Sequence, residues 1–364
     1  MAITIHRAVV HELIKEKNEE PQPLHYRQSL LPVDNESVQN VIAGVVNIYG
    51  RKNNSARYGV FRDDEASGSV PDSFYEYSEL EDVSDEDFMA LSKSVMQELF
   101  REATGVAFAT GGHILFSDYE SDGVRFYLAA MIKQKSGFAF SDTLGVEDLE
   151  YIDLSKLHQA IKINFSKYSA YQNADDIERQ DSTYLSFVSP QTSQSAAGYF
   201  IQAMGCKAGA PSAKATQAAV DESVGFFESK EDLKAHAPNL KRALTVYLEQ
   251  KAESNEPATL PDIEGIARRF FPTDDEEQAD RYADEFVTYL NREESGVPPE
   301  FPVNKTKLKT MTHLVYKGDD LHLEFDKEDI GGNPSARVYF DGAKVIIKDL
   351  PQDLIDKLNQ QING

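Results

Sequence analysis

The sequence predicts an α+β protein: a mixed N-terminal region with an antiparallel sheet, a helical middle, and a small C-terminal antiparallel β domain with a closing helix. Three observations predict it. Two β-rich runs flank Ser121-Asp122-Gly123, a favoured tight hairpin turn because its central residues tolerate positive φ. From about Gln191 to Asn291, apolar residues return every three or four positions, the period of an amphipathic helix. After Pro302 the pattern reverts to short β-leaning runs separated by turn residues.

The elements follow in order. Ile3–Val10 and Arg57–Phe61 are β-leaning runs that bracket a helix expected from about Glu36 to Tyr49. Ser84-Asp85-Glu86-Asp87 opens the next helix as a capping-box-like start. Phe88, Leu91, Val95 and Leu99 then line one face of that helix, which should run to about Ala103. Gly112–Tyr119 and Val124–Lys133 form the hairpin, and runs at Glu150–Leu154 and Gln159–Phe165 should extend it into a sheet. The helical middle shows three stripes: Leu233, Leu240, Leu244 and Leu248; Ile263, Ile266 and Phe270; and Ala279, Tyr282, Phe286 and Leu290. Asn291–Pro302 has the proline, glycine and charge content of a linker. Beyond it, Met311–Tyr316, Leu321–Phe325, Ala336–Phe340 and Lys344–Lys348 read as four short strands, the last two joined at Asp341-Gly342. Pro351 fits the first turn of a closing helix over Gln352–Ile362, where a missing N–H is not needed. These boundaries give regions 1–190, 191–291 and 303–364, consistent with two or three domains in 364 residues. No internal repeat is found.

Composition narrows the class. With 41% hydrophobic and 27% charged residues, the chain is globular rather than collagen-like, low-complexity or wholly disordered. Its longest nearly apolar run, Phe126–Ile132, is far short of the roughly 20 residues that span a bilayer, and its first residues lack a signal-peptide layout. A cytoplasmic protein without a membrane partner is therefore expected. Cys206 is the only cysteine, which excludes an intrachain disulfide framework or a Cys-rich zinc site.

Charge is the extreme feature. Against 61 acidic residues stand 37 Lys and Arg, a formal net charge of −24 that repels phosphate unless positive charge is concentrated somewhere. Two blocks carry most of the excess: residues 61–100 hold 12 acids against 2 bases, and residues 261–300 hold 12 against 4. From Phe301 to Lys317 there are four lysines and no acid, and from Ser182 to Val220 there is no acid. An anion can approach at those places.

Motifs for chemistry fail one by one. Asp118, Glu120, Asp122 and Gly123 mimic the first half of an EF-hand loop. Ala129 stands where a bidentate carboxylate must close the coordination sphere, so a solvated hairpin tip is the better reading. His11-Glu12 lacks a second histidine one helical turn later, since Lys15 occupies that place. Gly111-Gly112 precedes a strand, the wrong order for a dinucleotide loop, and no Gly-x-Ser-x-Gly elbow exists. Cys206, among small residues, reads as a buried structural thiol. The residues nominate no enzyme, no cofactor and no metal site.

Basic clusters remain. Arg51-Lys52-Asn53-Asn54-Ser55-Ala56-Arg57 is a polar basic loop between a helix and a strand. Lys305, Lys307 and Lys309 alternate, so an extended chain would point all three to one side along a phosphate backbone; a lysine-rich edge strand that deters aggregation is the bland reading. Arg268-Arg269 and Lys241-Arg242 read as solvated charges on helix faces. The helices flanking Pro272 do not make a helix-turn-helix, because the second opens Asp274-Asp275-Glu276-Glu277 and would meet phosphate repulsion.

Several fragments together carry a family resemblance. They are Val10-His11-Glu12-Leu13-Ile14, Tyr49 with Tyr58-Gly59-Val60-Phe61, and Gly111-Gly112-His113-Ile114-Leu115-Phe116. Tyr151-Ile152-Asp153-Leu154, Lys214-Ala215 and Gln217-Ala218-Ala219-Val220-Asp221 complete the set. In these the chain resembles the bacterial 37-kDa nucleoid-associated protein family, often called NdpA-like, over most of its length. The resemblance implies a bacterial, nucleoid-located, DNA-binding protein with no reaction of its own. It departs after Tyr184–Val188, where the family's Gly/Arg/Lys-rich segment is replaced by Ser189-Pro190-Gln191-Thr192-Ser193-Gln194-Ser195. The expected role is binding of double-stranded DNA without sequence readout, through Arg51, Lys52, Arg57, Lys305, Lys307 and Lys309. The alternative is an acidic adaptor that docks a basic DNA-handling protein and reaches the nucleoid indirectly. A homo-oligomer is a further partner class, and the sequence does not fix the oligomeric state.

Overall fold

The computed structural model describes residues 3–51, 54–63, 68–155, 157–180, 182–188, 198–209, 211–272, 275–319 and 321–363. Its centre is an antiparallel sheet built on the predicted hairpin. Strands β1 (Ile3–Leu13), β2 (His25–Tyr26), β3 (Arg57–Phe61), β4 (Gly112–Ser121) and β5 (Val124–Ile132) belong to it. After a separate pair, β6 (Gln134–Phe140) and β7 (Val146–Ile152), come β8 (Gln159–Asn164), β9 (Leu185–Val188) and β10 (Cys206–Ala208). The sheet has eight strands in the order β10-β3-β9-β8-β5-β4-β1-β2. Between β4 and β5, Asp122 at φ 49° and Gly123 at φ 83° both take the left-handed conformation that the turn requires.

Alternation along the central strands sends side chains to two cores. Ile114 and Phe116 with Tyr127, Ala129 and Met131 face one side; Leu115 and Tyr119 with Phe126, Leu128, Ala130 and Ile132 face the other. Helix α1 (Glu36–Ile48) covers the second side through Ile42, Val45 and Val46, its first turn capped by Asn35. Helices α2 (Val70–Ser78) and α3 (Asp85–Thr104) cover the first side with Phe74, Phe88, Leu91, Val95 and Leu99. The expected capping box is formed: Ser84 Oγ accepts from the Asp87 amide, and the Asp87 carboxylate accepts from the Ser84 amide. With both faces covered, the Phe126–Ile132 run is continuously apolar for a physical reason. At one edge of this layer Gly111 lies so close to β1 that a Cβ would sit 1.8 Å from the Leu13 carbonyl oxygen.

Two expectations need correction. The run near Glu150–Leu154 does not join the sheet: β7 pairs only with β6, as a two-stranded ribbon between β5 and β8. Lys133 and Asp153 close its base by a backbone hydrogen bond and Lys135 pairs with Asp153, so the chain leaves the sheet where the apolar run ends. Asn291–Pro302 is no spacer. Asn291, Ser295, Val297 and Phe301 are buried, and Glu300–Pro302 pairs with Pro257–Thr259. Composition drew the linker reading, but Val297 and Phe301 anchor the segment in the helical core.

After β9, helices α4 (Phe165–Asn173) and α5 (Asp176–Gln180) having preceded it, α6 (Gly198–Ala203) and β10 pack with the sheet through Tyr199, Phe200, Met204 and Cys206. The sheet's core therefore extends past Gln191. A separate core belongs to α7 (Ser212–Glu228), α8 (Ala237–Ser254), α9 (Leu260–Ala267), α10 (Glu276–Asn291) and α11 (Lys305–Thr312). Leu240, Leu244, Leu248, Ile263, Ile266, Phe286 and Leu290 are buried there, as their spacing predicts. Strands β11 (Pro257–Thr259) and β12 (Glu300–Pro302) clasp it. The chain ends in a module of a hairpin, β13 (His313–Lys317) with β14 (His322–Asp326), and a three-stranded sheet. The latter comprises β15 (Ile330–Gly331), β16 (Val338–Phe340) and β17 (Val345–Ile347), followed by α12 (Gln352–Asn363). The β15–β16 pairing is parallel, the other strand pairs of the module antiparallel.

Candidate nucleic-acid interface

The basic loop before β3 is held from below. Asn54, which is buried, donates its amide to the Arg51 carbonyl at 2.7 Å, accepts from Gly50 N at 2.9 Å, and takes the Leu157 amide on its side-chain oxygen at 2.7 Å. The Arg51 side chain is left exposed. Just beyond, Asn291 at the end of α10 grips the strand. Its Oδ1 accepts from Ala56 N at 2.6 Å, and its Nδ2 donates to the carbonyls of Ala56 at 2.9 Å and Val297 at 2.8 Å. The Tyr58 hydroxyl donates to the Asn291 carbonyl at 2.6 Å. A buried asparagine with every donor used is a rigid joint.

That joint sets Arg57 beside the start of α11. Arg57, Lys251 and Lys305 line one cleft of about 380 Å³, together with Glu256 and Glu300. Lys251 comes from the last turn of α8, where Asn255 ends the helix in the left-handed conformation at φ 57° and Lys251 pairs with Glu256 at 3.0 Å. Lys305 is the first residue of α11, whose N-cap Asn304 accepts from Lys307 N at 2.8 Å. The partial positive charge of that helix start adds to the cations.

The structure corrects the extended lysine stripe. Residues 305–312 are helical because Asn304 caps them and because Leu308 and Thr312 are buried one turn apart. Lys305 and Lys309 therefore share a side, four residues apart, while Lys307 points away from them. Lys309 already pairs with Glu324 at 2.7 Å. Arg51 lies elsewhere, in a larger concavity of about 830 Å³ where Lys230 and Arg292 meet Asp284 and Glu285. There the Arg292 guanidinium stacks 3.7 Å from the centroid of the Tyr289 ring, and Lys230 pairs with Glu285 at 2.6 Å. Lys52 lies outside the described residues, as does the 189–195 segment.

The fold thus joins Arg57 with Lys305 and separates both from Arg51. Lys251, Lys230 and Arg292 escape sequence reading because each comes from a different segment. Only the Asn304 cap, three residues before Lys307, could have announced the helix.

Other charged and polar side chains are taken up by contacts within the fold. Asp118 is fully buried and bidentate with Arg125, at 2.9 and 2.6 Å, and the Tyr77 hydroxyl donates to it at 2.6 Å. Burial, with Asp118 beside it, holds the Tyr77 phenol well above its ordinary range. Glu293 sits between Lys162 at 3.3 Å and Lys167 at 3.0 Å and accepts from Asn164 at 2.6 Å. Burial works against its charge, yet those partners hold its carboxyl below the usual value. Burial pushes the Cys206 thiol up, away from the reactive thiolate. Arg268 pairs with Glu264 and Asp280, and Arg242 with Glu328. Among the described residues no cluster of three or more His, Cys, Asp and Glu has a metal-holding arrangement, and no helix is long and apolar enough to cross a membrane.

A protein of Metapseudomonas resinovorans named nucleoid-associated protein is 26% identical over 360 residues, covering 98% of this chain and 99% of the relative. One from Pseudomonas paraeruginosa is 27% identical over 360 residues, covering 98% and 97%, and one from Azotobacter vinelandii is 25% identical over 362 residues, covering 99% of both. None of these names denotes an enzyme class. The family model described as nucleoid-associated protein YejK matches residues 9–355, nearly the whole chain, and the chain belongs to that family.

Proposed function

We propose that this nucleoid-associated protein binds double-stranded DNA directly, through backbone phosphates and without reading base sequence. The observation that carries the reading is the cleft in which Arg57, Lys251 and Lys305, from three separate segments, converge at the start of α11. Three cations against Glu256 and Glu300 leave a slight positive excess on a chain of net charge −24, carried by Arg57 and Lys305 because Lys251 already pairs with Glu256 at 3.0 Å and lies 4.0 Å from Asp262. Strands and helices fix the backbone of all three, so the site suits a regular feature such as a phosphate rather than a base edge. Arg51, in its separate concavity, supplies a second contact, while Lys307, on the far side of α11, and Lys309, whose ammonium Glu324 already holds, contribute least. The acidic blocks keep the rest of the surface off the duplex, so binding is confined to this side.

The test is a salt titration of duplex binding, using two unrelated sequences, with the wild type and an R57Q/K251Q/K305Q variant. The log–log slope should fall by up to three phosphate equivalents, roughly 0.9 each, equally for both duplexes. An unchanged slope rejects the cleft. Absence of salt-dependent binding in the wild type rejects direct DNA contact and favours the acidic adaptor, whose docking face would include the exposed Glu276, Glu277, Asp280 and Glu285 of α10.

A further inference from the structure

Among the described residues the β6–β7 ribbon is an arm with no covering layer. In its register Phe138 opposes Asp148, Phe140 opposes Val146 and Ser136 opposes Glu150, so these six side chains share one face. On it Phe138 is 77% exposed, Phe140 79% and Val146 67%. Two-stranded ribbons are marginal in water on their own, and an apolar patch of this kind marks an interaction site. DNA is a poor occupant. Residues 134–152 carry one base, Lys135, against four acids, Asp142, Glu147, Asp148 and Glu150.

A second uncovered face lies in the C-terminal module. In the β16–β17 register Tyr339 opposes Ile346, and Lys344 and Lys348 flank β17 immediately before and after it, at the spacing that continues the alternation of Ile346. Ile346 is 45% exposed and the Lys344 side chain 74%. Residues 337–348 hold three bases, Arg337, Lys344 and Lys348, against one acid, Asp341; Arg337 is held by Asp329 at 2.7 Å, while Lys344, 3.8 Å from Asp341, keeps most of its side chain in solvent. The two faces are complementary: an apolar centre with an acidic rim, and an apolar centre with a basic rim. Among the described residues of one copy the ribbon face stays open to solvent, and the β16–β17 face is open at Lys344 and Ile346 with Tyr339 and Lys348 half-buried.

We propose that the acidic ribbon face of one copy, Phe138, Phe140, Val146, Asp148 and Glu150, docks on the basic β16–β17 face of a second copy. Apolar side chains supply the contact area, and Asp148 and Glu150 meet Lys344 and Lys348 to set orientation and partner choice. The contact is heterologous, between different surfaces of the two chains. Two copies close by reciprocal exchange, or further copies add in sequence.

Charge swaps test it by analytical ultracentrifugation across a wide micromolar range. K344E/K348E and D148K/E150K should each lose self-association, with the dissociation constant rising at least tenfold. Mixed one to one, the two variants should associate again, because each presents the face the other needs. Asp148, Glu150 and Lys344 are exposed and Lys348 is half-buried, so unchanged circular dichroism and melting are needed to keep loss of association distinct from loss of fold. Phe138→Ser with Phe140→Ser should also give monomers. A wild type that stays monomeric, variants that associate like the wild type, or a mixture that stays monomeric would each overturn the proposal. In the first case the ribbon is left to a different protein with a basic rim.

Discussion

Two regions of this chain are written in the same β-alternating language and end in opposite states. The β4–β5 hairpin lies in an eight-stranded sheet with α1 on one face and α2 and α3 on the other, and its Phe116, Tyr119, Tyr127 and Leu128 are at most 1% exposed. Strands β13 to β17 form sheets of two and three strands. Leu314, Tyr316, Phe340, Val345, Ile346 and Ile347 in them are 41% to 54% exposed, and among the described hydrophobic residues from 313 onward only Val338 is buried. Alternation assigns faces; a covering layer decides burial. The first region holds the fold's stability, whereas the second offers surface.

The comparison breaks most directly at an aromatic ring. Phe88 is fully buried between Tyr77 and Tyr127, with ring centroids 6.2 and 6.3 Å away. Phe88→Ala should cost about 3–5 kcal/mol in urea unfolding. Phe340→Ala, at a 48% exposed ring, should cost under about 0.5 kcal/mol. Equal losses would show that the C-terminal module has a core that its exposure conceals. An ion pair gives the second contrast. Asp118→Ala leaves Arg125 and Tyr77 facing each other without their carboxylate and should cost about 3 kcal/mol, since breaking one side of a buried pair strands the other.

Legibility followed the same division. Asp122-Gly123, the Ser84 capping box and the leucine stripe of α8 are local signals, carried by residues within one or two turns of each other, and each reads correctly. What failed needed partners distant in sequence. Nothing near Glu150 says that β7 turns away from the sheet, and Val297 and Phe301 look like isolated apolar residues until the helical core receives them. Of the candidate site, the chemistry of Arg57 and Lys305 was legible as charge, but their convergence depends on Asn291 gripping Ala56 across the chain. Alternating lysines have no apolar face of their own to distinguish helix from strand; Asn304 and buried Leu308 decide in favour of helix.

A histidine sharpens the comparison by pH. His11, 1% exposed in β1, accepts the Arg27 amide on Nδ1, so its neutral ring carries the proton on Nε2 and donates it to Ser92 Oγ at 3.0 Å. Burial, and then the charge of Lys93, lower its pKa to about 4. The unfolded chain binds this proton near pH 6.5 and the folded chain does not. The stabilising contribution is therefore complete above pH 6.5 and drains away as pH falls toward 4. Between pH 7 and pH 5 the wild type should lose roughly 2 kcal/mol more than His11→Asn, measured by urea unfolding. Parallel losses in the two proteins would mean that the ring is solvated in the folded state.

The smallest effects belong to the module's ion pairs, one of them made to α11 of the helical core. Lys309 meets Glu324 at 2.7 Å and Arg337 meets Asp329 at 2.7 Å, but every partner is about a third or more exposed, so water and salt already satisfy these charges. Lys309→Gln and Arg337→Gln should leave the global urea midpoint unmoved. Their effect should appear only in local opening. The hairpin β13–β14 is tied to the helical core through Lys327, which donates to the Thr310 and Met311 carbonyls, and through Arg242 with Glu328. Exchange of backbone amides in β13 and β14 should quicken in Lys309→Gln while exchange in β4 and β5 stays fixed, because the two regions open separately. If β4 and β5 quickened as well, module and sheet would unfold as one cooperative unit. The contrast between a stabilising layer and an exposed surface would then describe packing alone.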